Sequence, residues 1–166
     1  MRGTEIEGFE AWYCREHPRL VMSLVLVAGD IHVAQDATDE AFARAFARWD
    51  RVGAMESPNG WTYRVALNVL RRRARRAAVE RRLLARRAEA TVVPPDINEA
   101  WDAVRHLPPR QREAIVLRYI ADLTEKEVGA AMGVSRGAIS SALTEARRTL
   151  SRLLADDDAS LEVPCA

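Results

Sequence analysis

The chain has 166 residues, is 48% hydrophobic and 6% aromatic, and carries a formal net charge of +1. That length suits one domain or two small ones with an ample core, and the near-neutral balance by itself points to no nucleic-acid partner. Two cysteines far apart (Cys14, Cys165) and three scattered histidines argue against a disulfide framework or a metal site; the most apolar run, LVMSLVLVAG, is too short to cross a bilayer and has no signal-peptide start, so a cytoplasmic chain without membrane insertion, metal or cofactor is expected.

The periodicity is helical almost throughout, with no sustained alternating strand pattern, so the fold class is all-α. His17-Pro18 reads as a helix start, followed by Leu20, Leu24 and Val27 at helical spacing, with Gly29 ending the run. A second helix begins near Ile31, with Phe42, Phe46 and Trp49 as its apolar stripe. Asp36, Glu40, Arg44 and Arg48 form a row at i, i+4 spacing on another face, and Glu40 stands N-terminal to Arg44, the favourable order. Ser57 as N-cap with Pro58 at the first position starts a third helix. Trp61, Val65 and Val69 point inward there, and Arg64, Asn68, Arg71, Arg72 and Arg75 line the other side. AEATVVPPDIN loses helical periodicity at Pro94-Pro95 and reads as a linker. A short helix follows near 100–106, then another in which Pro109 occupies the first turn, and the chain ends in an acidic tail, ADDDASLEVPCA, expected to fray.

The local signals are most consistent in LTEKEVGAAMGVSRGAISSALTEARRTL. Thr124 and Glu127 make a capping box, with Leu123 and Val128 as its hydrophobic staple. Gly133 suits the left-handed residue that stops that helix. Ser135 caps the next one, with Val134 and Ile139 as a second staple. Ile139, Leu143, Ala146, Leu150 and Leu153 form its apolar face, and Arg136, Ser140, Ser141, Thr144, Arg147 and Arg148 the opposite one. A turn this tight forces the two helices to cross steeply, as in a helix-turn-helix whose second helix enters the DNA major groove. An αα-corner without DNA is the plainer alternative.

Lys126 is the sole lysine, and much of the arginine lies between Arg71 and Arg87. Such a run is either a solvated face or a phosphate-binding one. Its single sign is costly along a helix, and a counter-anion relieves that cost. Trp61 and Tyr63 just before it are core or boundary residues unless a single-stranded base stacks there. Asp36, Asp39 and Glu40 share a face with no matching acid or base elsewhere and no partner expected on the first helix. That favours a docking or solvated face over catalysis.

In this order the three features resemble the sigma-70 family of bacterial transcription initiation factors, in its small extracytoplasmic-function (ECF) group. HPRLVMSLVLVAGDIHVAQDATDEAFARAFARW is similar to the family's GD…AEDxxQExFxxxW segment, matching at Asp36, Glu40, Phe42 and Trp49. SPNGWTYRVALNVLRRRARR resembles PxxWLxRIAxNxxxDxxR at Pro58, Trp61, Arg64, Ala66 and Asn68. LPPRQREAIVLRYIADLTEKEVGAAMGVSRGAISSALTEARRTL resembles the C-terminal domain almost without gaps. Departures are Gln35 for the usual Glu, Asp39 for the common Gln, and, in the SxGTVKSR stretch, Ala138, Ser140 and Ala142 for Thr, Lys and Arg.

The resemblance implies a region 2 helical bundle over 5–84, a flexible linker over 85–98, a region 4 helix-turn-helix domain over 99–155 and an acidic tail over 156–166. It implies a sigma factor, not an enzyme. Core RNA polymerase would be bound by Asp36, Asp39, Glu40 and Arg44 against the β′ clamp helices, and by region 4 against the β-flap. The −10 element would be recognised by Asn59, Trp61, Arg64, Asn68, Arg71, Arg72 and Arg75, with a loop around Met55 and Glu56 taking a flipped base. The −35 element would be read by Ser135, Arg136, Ser140, Ser141, Thr144, Arg147 and Arg148. An anti-sigma factor is a further partner of the family, and with it the two domains could fold together and mask their DNA faces. The alternative function is a stand-alone helix-turn-helix regulator binding as a dimer.

Overall fold

The computed structural model describes residues 3–84 and 99–161, with side chains over 8–79 and 101–155. The described residues form eight helices and no strand: α1 (Gly3–Ala28), α2 (Ile31–Phe46), α3 (Trp49–Val52), α4 (Pro58–Leu84), α5 (Glu99–His106), α6 (Pro109–Tyr119), α7 (Glu125–Met132) and α8 (Arg136–Leu161). The proline-containing linker expected at 94–95 lies outside the described residues.

Helices α1, α2 and α4 pack as a bundle. Ala34, Ala37, Ala41 and Ala45 are all fully buried along α2, and the missing side-chain bulk lets its neighbours approach closely. Leu20 and Leu24 of α1, Phe42 of α2, and Leu67 and Val69 of α4 fill the space between. Asp30 caps α2, its carboxylate accepting from the Val33 N–H at 3.0 Å, and Ser57 caps α4 by accepting from the Gly60 N–H at 3.0 Å.

Three local expectations are corrected. Pro18 does not start a helix; it lies inside α1. It lacks the N–H that would donate to the Cys14 carbonyl, but a buried stripe of Trp12, Glu16, Leu20 and Leu24 at i, i+4 spacing runs through it and keeps the helix continuous. Trp49 belongs to the separate turn α3, because α2 ends at Phe46, and Phe46 itself is 43% exposed. The helical backbone of α8 continues through 156–158 to Leu161, where a frayed tail was expected.

The second unit is built by α5 to α8 around Leu107, Leu117, Leu123, Val128, Ile139 and Leu143. The capping box is present. Glu127 accepts from the Thr124 N–H at 2.7 Å and its hydroxyl at 2.6 Å, and the Glu127 N–H donates to Thr124 Oγ1 at 3.3 Å. Burial pushes the Glu127 carboxyl up, but hydrogen bonds from Ser57 and Thr124 and the charge of Lys126 outweigh it and hold the group below its ordinary value. Its stabilisation is therefore complete above the usual carboxylate range and is lost as pH falls through the lowered value. Thr124→Ala should cost about 1 kcal/mol, read as a thermal midpoint lower by about 2–4 °C in circular dichroism.

The two units touch. Helix α7 packs on α4, and α5 and α6 on α1. The buried side chains form one connected cluster from Trp12 to Ala146. Arg71 donates to Glu113 at 2.8 Å, and Lys126 lies 3.3 Å from Glu56.

Candidate nucleic-acid and partner-binding surfaces

Gly133 adopts φ +73°, which ends α7 and turns the chain into α8. Gly129 faces that turn: a Cβ there would stand 2.9 Å from the Val134 carbonyl oxygen. The steep crossing thus depends on a missing side chain. Ser135 caps α8, its Oγ accepting from the Ala138 N–H at 3.2 Å. Ile139, Leu143 and Ala146 are buried, while Arg136, Ser140, Ser141, Thr144, Arg147 and Arg148 are all exposed. The outward face is therefore as the sequence arranged it.

Its chemistry is more specific than a list of polar residues. Ser141 donates its hydroxyl proton to the Gly137 carbonyl at 3.1 Å, and Thr144 donates to the Ser140 carbonyl at 2.9 Å. With those protons engaged, both hydroxyls present acceptors outward, suited to the exocyclic amines of adenine and cytosine. Arg147 donates twice to the Tyr119 hydroxyl, at 3.0 and 2.7 Å, and lies 5.9 Å from the ring centroid. Tyr119, absent from the sequence expectations, holds this guanidinium beside the outer face. Arg136 is 3.5 Å from Glu125.

On α4, Arg64, Asn68 and Arg75 are exposed. Trp61 is half-buried and lines a cleft of about 400 Å³ with Met55, Glu56 and Arg64 on one side and Lys126, Glu127 and Ala130 of α7 on the other. Tyr63 is buried; its hydroxyl lies 3.2 Å from Ser23 Oγ, and burial above all pushes it up to about 12. It is a core residue, and Trp61 is the more accessible of the two aromatics. Asn59 is half-buried, accepting from Trp12 Nε1 at 2.7 Å, which ties the start of α4 to α1.

The basic run also has internal counter-charges that the sequence concealed. Arg72 donates to Glu40 at 2.7 Å, Arg73 to Asp36 at 2.6 Å and Arg71 to Glu113. Part of the like-charge cost is thus relieved by carboxylates of α2 and α6, not by a bound phosphate. Glu40 also accepts from Arg44. The first helix does supply a partner to the acidic face: His17 Nε2 lies 3.2 Å from Asp39. Beside Asp39, a cleft of about 280 Å³ is lined by Phe9, Tyr13, Phe42 and Phe46. Phe46, read from the sequence as core, is the exposed end of this aromatic group and stacks edge-on to Phe9 at 4.9 Å. Exposure of a phenylalanine at i+7 from Asp39 was visible in the spacing, since it continues the acidic face.

Among the described residues no three His, Cys, Asp or Glu gather in a metal-binding group, and no helix is long and apolar enough to cross a membrane.

Residues 13–80 match the family model described as Sigma-70 region 2, and residues 97–150 that described as Sigma-70, region 4. The chain is 30% identical over 125 residues to the RNA polymerase sigma-E factor of Streptomyces antibioticus, covering 72% of this chain and 68% of the relative. It is 27% identical over 147 residues to the ECF RNA polymerase sigma factor SigW of Bacillus subtilis (strain 168), covering 77% and 79%. Among solved structures it is similar in fold to the sigma factor RpoE in complex with the anti-sigma factor NepR from Bartonella quintana, with a TM-score of 0.76, 22% identity, and coverage of 88% of this chain and 96% of that one. A stand-alone regulator is not favoured, because it gives the matched residues 13–80 no role. Both regions are matched in the family's order and most of a relative's length is shared, so the chain belongs to the sigma-70 family and is an RNA polymerase sigma factor of the extracytoplasmic-function group.

Proposed function

We propose that this sigma factor, acting on RNA polymerase in the cytoplasm and catalysing no reaction itself, reads its promoter at two points through assigned residues. The −35 element meets Ser135, Arg136, Ser140, Ser141, Thr144, Arg147 and Arg148. The −10 element meets Trp61, Arg64, Asn68 and Arg75, with Asn59, Arg71 and Arg72 joining once released from Trp12, Glu113 and Glu40. The polymerase meets Asp36, Asp39, Glu40 and Arg44, together with Phe46. The observation that carries the reading is the sharp division of α8, with Ile139, Leu143 and Ala146 buried and every proposed DNA-contacting side chain exposed. Each domain alone binds weakly, and joining both on the polymerase raises the local concentration of each at its element. An anti-sigma partner, as the RpoE neighbour has in NepR, belongs to the same proposal.

The test is promoter-specific transcription by purified chain and core polymerase. Ala138, Ser140 and Ala142 leave the recognition face with few cations, so Arg136→Ala and Arg147→Ala/Arg148→Ala should each weaken −35 binding by about tenfold or more, with a shallower salt dependence. Equal promoter output from wild type and both variants removes α8 from promoter recognition.

A further inference from the structure

We propose that Glu145 is a specificity-determining residue of α8: its carboxylate accepts from the N4 amine of a cytosine in the −35 element, so that the helix selects its site partly by rejecting other bases. The inference rests on the −35 reading above.

Glu145 stands in the middle of the outward face. Ile139, Leu143 and Ala146 mark the buried stripe of α8. Ser141, Glu145 and Arg148 follow one another at i, i+4 and i+7, which places them in one row on the opposite side. Arg136 and Arg147 lie nearer the edges of that face, and their guanidiniums turn to Glu125 and Tyr119. Glu145 is exposed, as Ser141 and Thr144 are. A groove that receives those two hydroxyls receives this carboxylate beside them.

A carboxylate there opposes the approach of a polyanion, and nothing in the chain neutralises it. Among the described residues Glu145 forms no ion pair, and Arg148, three residues on, is exposed and unpaired with it. Its side chain takes one hydrogen bond, from Gln111 Nε2 to Oε2 at 3.4 Å. The Gln111 amide keeps this orientation although its own Oε1 is enclosed without a partner. The reverse orientation would set that oxygen against the carboxylate. One oxygen of Glu145 is thus engaged and the other is left for a base. Ala138 and Ala142 line the same cleft of about 630 Å³ with Ser141 and Gln111. Their short side chains let a base edge come close.

The chemistry of the major groove then selects the base. Guanine presents the acceptors O6 and N7, and thymine presents O4. Adenine presents the N6 amine with the N7 acceptor next to it, whereas cytosine presents the N4 amine alone. A single carboxylate therefore meets no second acceptor at cytosine. Ser141 and Thr144, whose protons are engaged within the helix, extend the same acceptor-only surface. Glu145 is one turn, about 6 Å, from Ser141. That is close to two base-pair steps of about 3.4 Å, so each reads a base pair of its own. Phosphate repulsion lowers affinity for every sequence, and only a cytosine at this position offsets it. The residue raises discrimination by penalising the alternatives.

The test uses the full chain joined to core polymerase and a duplex pool randomised across both elements, with the recovered sequences counted. Wild type should enrich cytosine at one position of the −35 element. Glu145→Ala should cut that preference about tenfold, while affinity for an unselected duplex does not fall. Glu145→Gln should move the preference toward adenine, whose N6 and N7 a glutamine amide contacts together. Exposure of the side chain predicts an unchanged thermal midpoint in both variants. A uniform gain in binding with base frequencies unaltered is what a merely solvated carboxylate gives, and it overturns the proposal. Full cytosine preference in Glu145→Ala, or a base other than cytosine at the position the variants affect, overturns it too. A wild-type holoenzyme that enriches no sequence at all would instead sink the −35 reading on which it rests.

Discussion

Gly129→Val should disrupt the helix-turn-helix and abolish −35 binding without removing any proposed DNA-contacting side chain. Gly129 is buried in α7, and an added Cβ would meet the Val134 carbonyl oxygen at 2.9 Å, with the Arg136 backbone nitrogen at 3.6 Å. These neighbours are backbone atoms of the turn, so no side chain can rotate away. The helices must separate, at a cost of about 3 kcal/mol. Valine adds a branched Cβ that fits a helix poorly. The expected result is a thermal midpoint lower by about 10 °C, with loss of −35 footprinting. Gly129→Ala should lie between, because alanine recovers about 1 kcal/mol of helix propensity while meeting the same oxygen. A valine variant as stable as wild type would mean that the turn is not set by this contact.

The second large effect is expected at the face proposed to meet the polymerase. Asp39→Ala/Phe46→Ala should reduce affinity for core polymerase by about 10- to 100-fold, since burying a phenylalanine side chain contributes about 1.5–3 kcal/mol and a central aromatic anchor carries a disproportionate share of an interface. Asp39 has 66% of its side chain exposed and Phe46 is 43% exposed, so the thermal midpoint should move by no more than a few degrees. Fluorescence anisotropy against core polymerase separates the two quantities. Full affinity in the double variant would move the docking surface off α2.

The elements that could be read from the sequence were those with local causes. Ser57, Thr124, Glu127, Gly133 and Ser135 act within a turn of their own position, and their spacing alone places α4, α7 and α8. The outward face of α8 followed from a period of 3.6 residues. Pro18 misled because a local rule met a tertiary one: Glu16 interrupts the apolar pattern, yet it is buried beside Trp12 and Leu20 on the stripe that carries α1 through the proline. Phe46 misled for the opposite reason, since an apolar residue at helical spacing was given to the core and faces out. The pairing of Arg72 with Glu40, Arg73 with Asp36 and Arg71 with Glu113 joins positions 32 to 42 apart. No local pattern encodes such distances, so these residue pairings were beyond sequence reasoning, although the resemblance allowed for the two domains folding together.

The pairing of Glu40 with both Arg44 and Arg72 has a kinetic consequence. With Asp36 paired to Arg73 and Asp39 beside them, the face carries three charges of each sign and projects little field beyond a Debye length of about 8 Å. As the proposed docking face, α2 would therefore do little to draw a distant polymerase toward it, and capture would proceed near the rate of unsteered collision. Its ion pairs restrain Asp36, Glu40 and Arg44, so less freedom would be lost on contact. Among sigma factors competing for a limited pool of polymerase, this one would gain its share through slow departure rather than fast arrival.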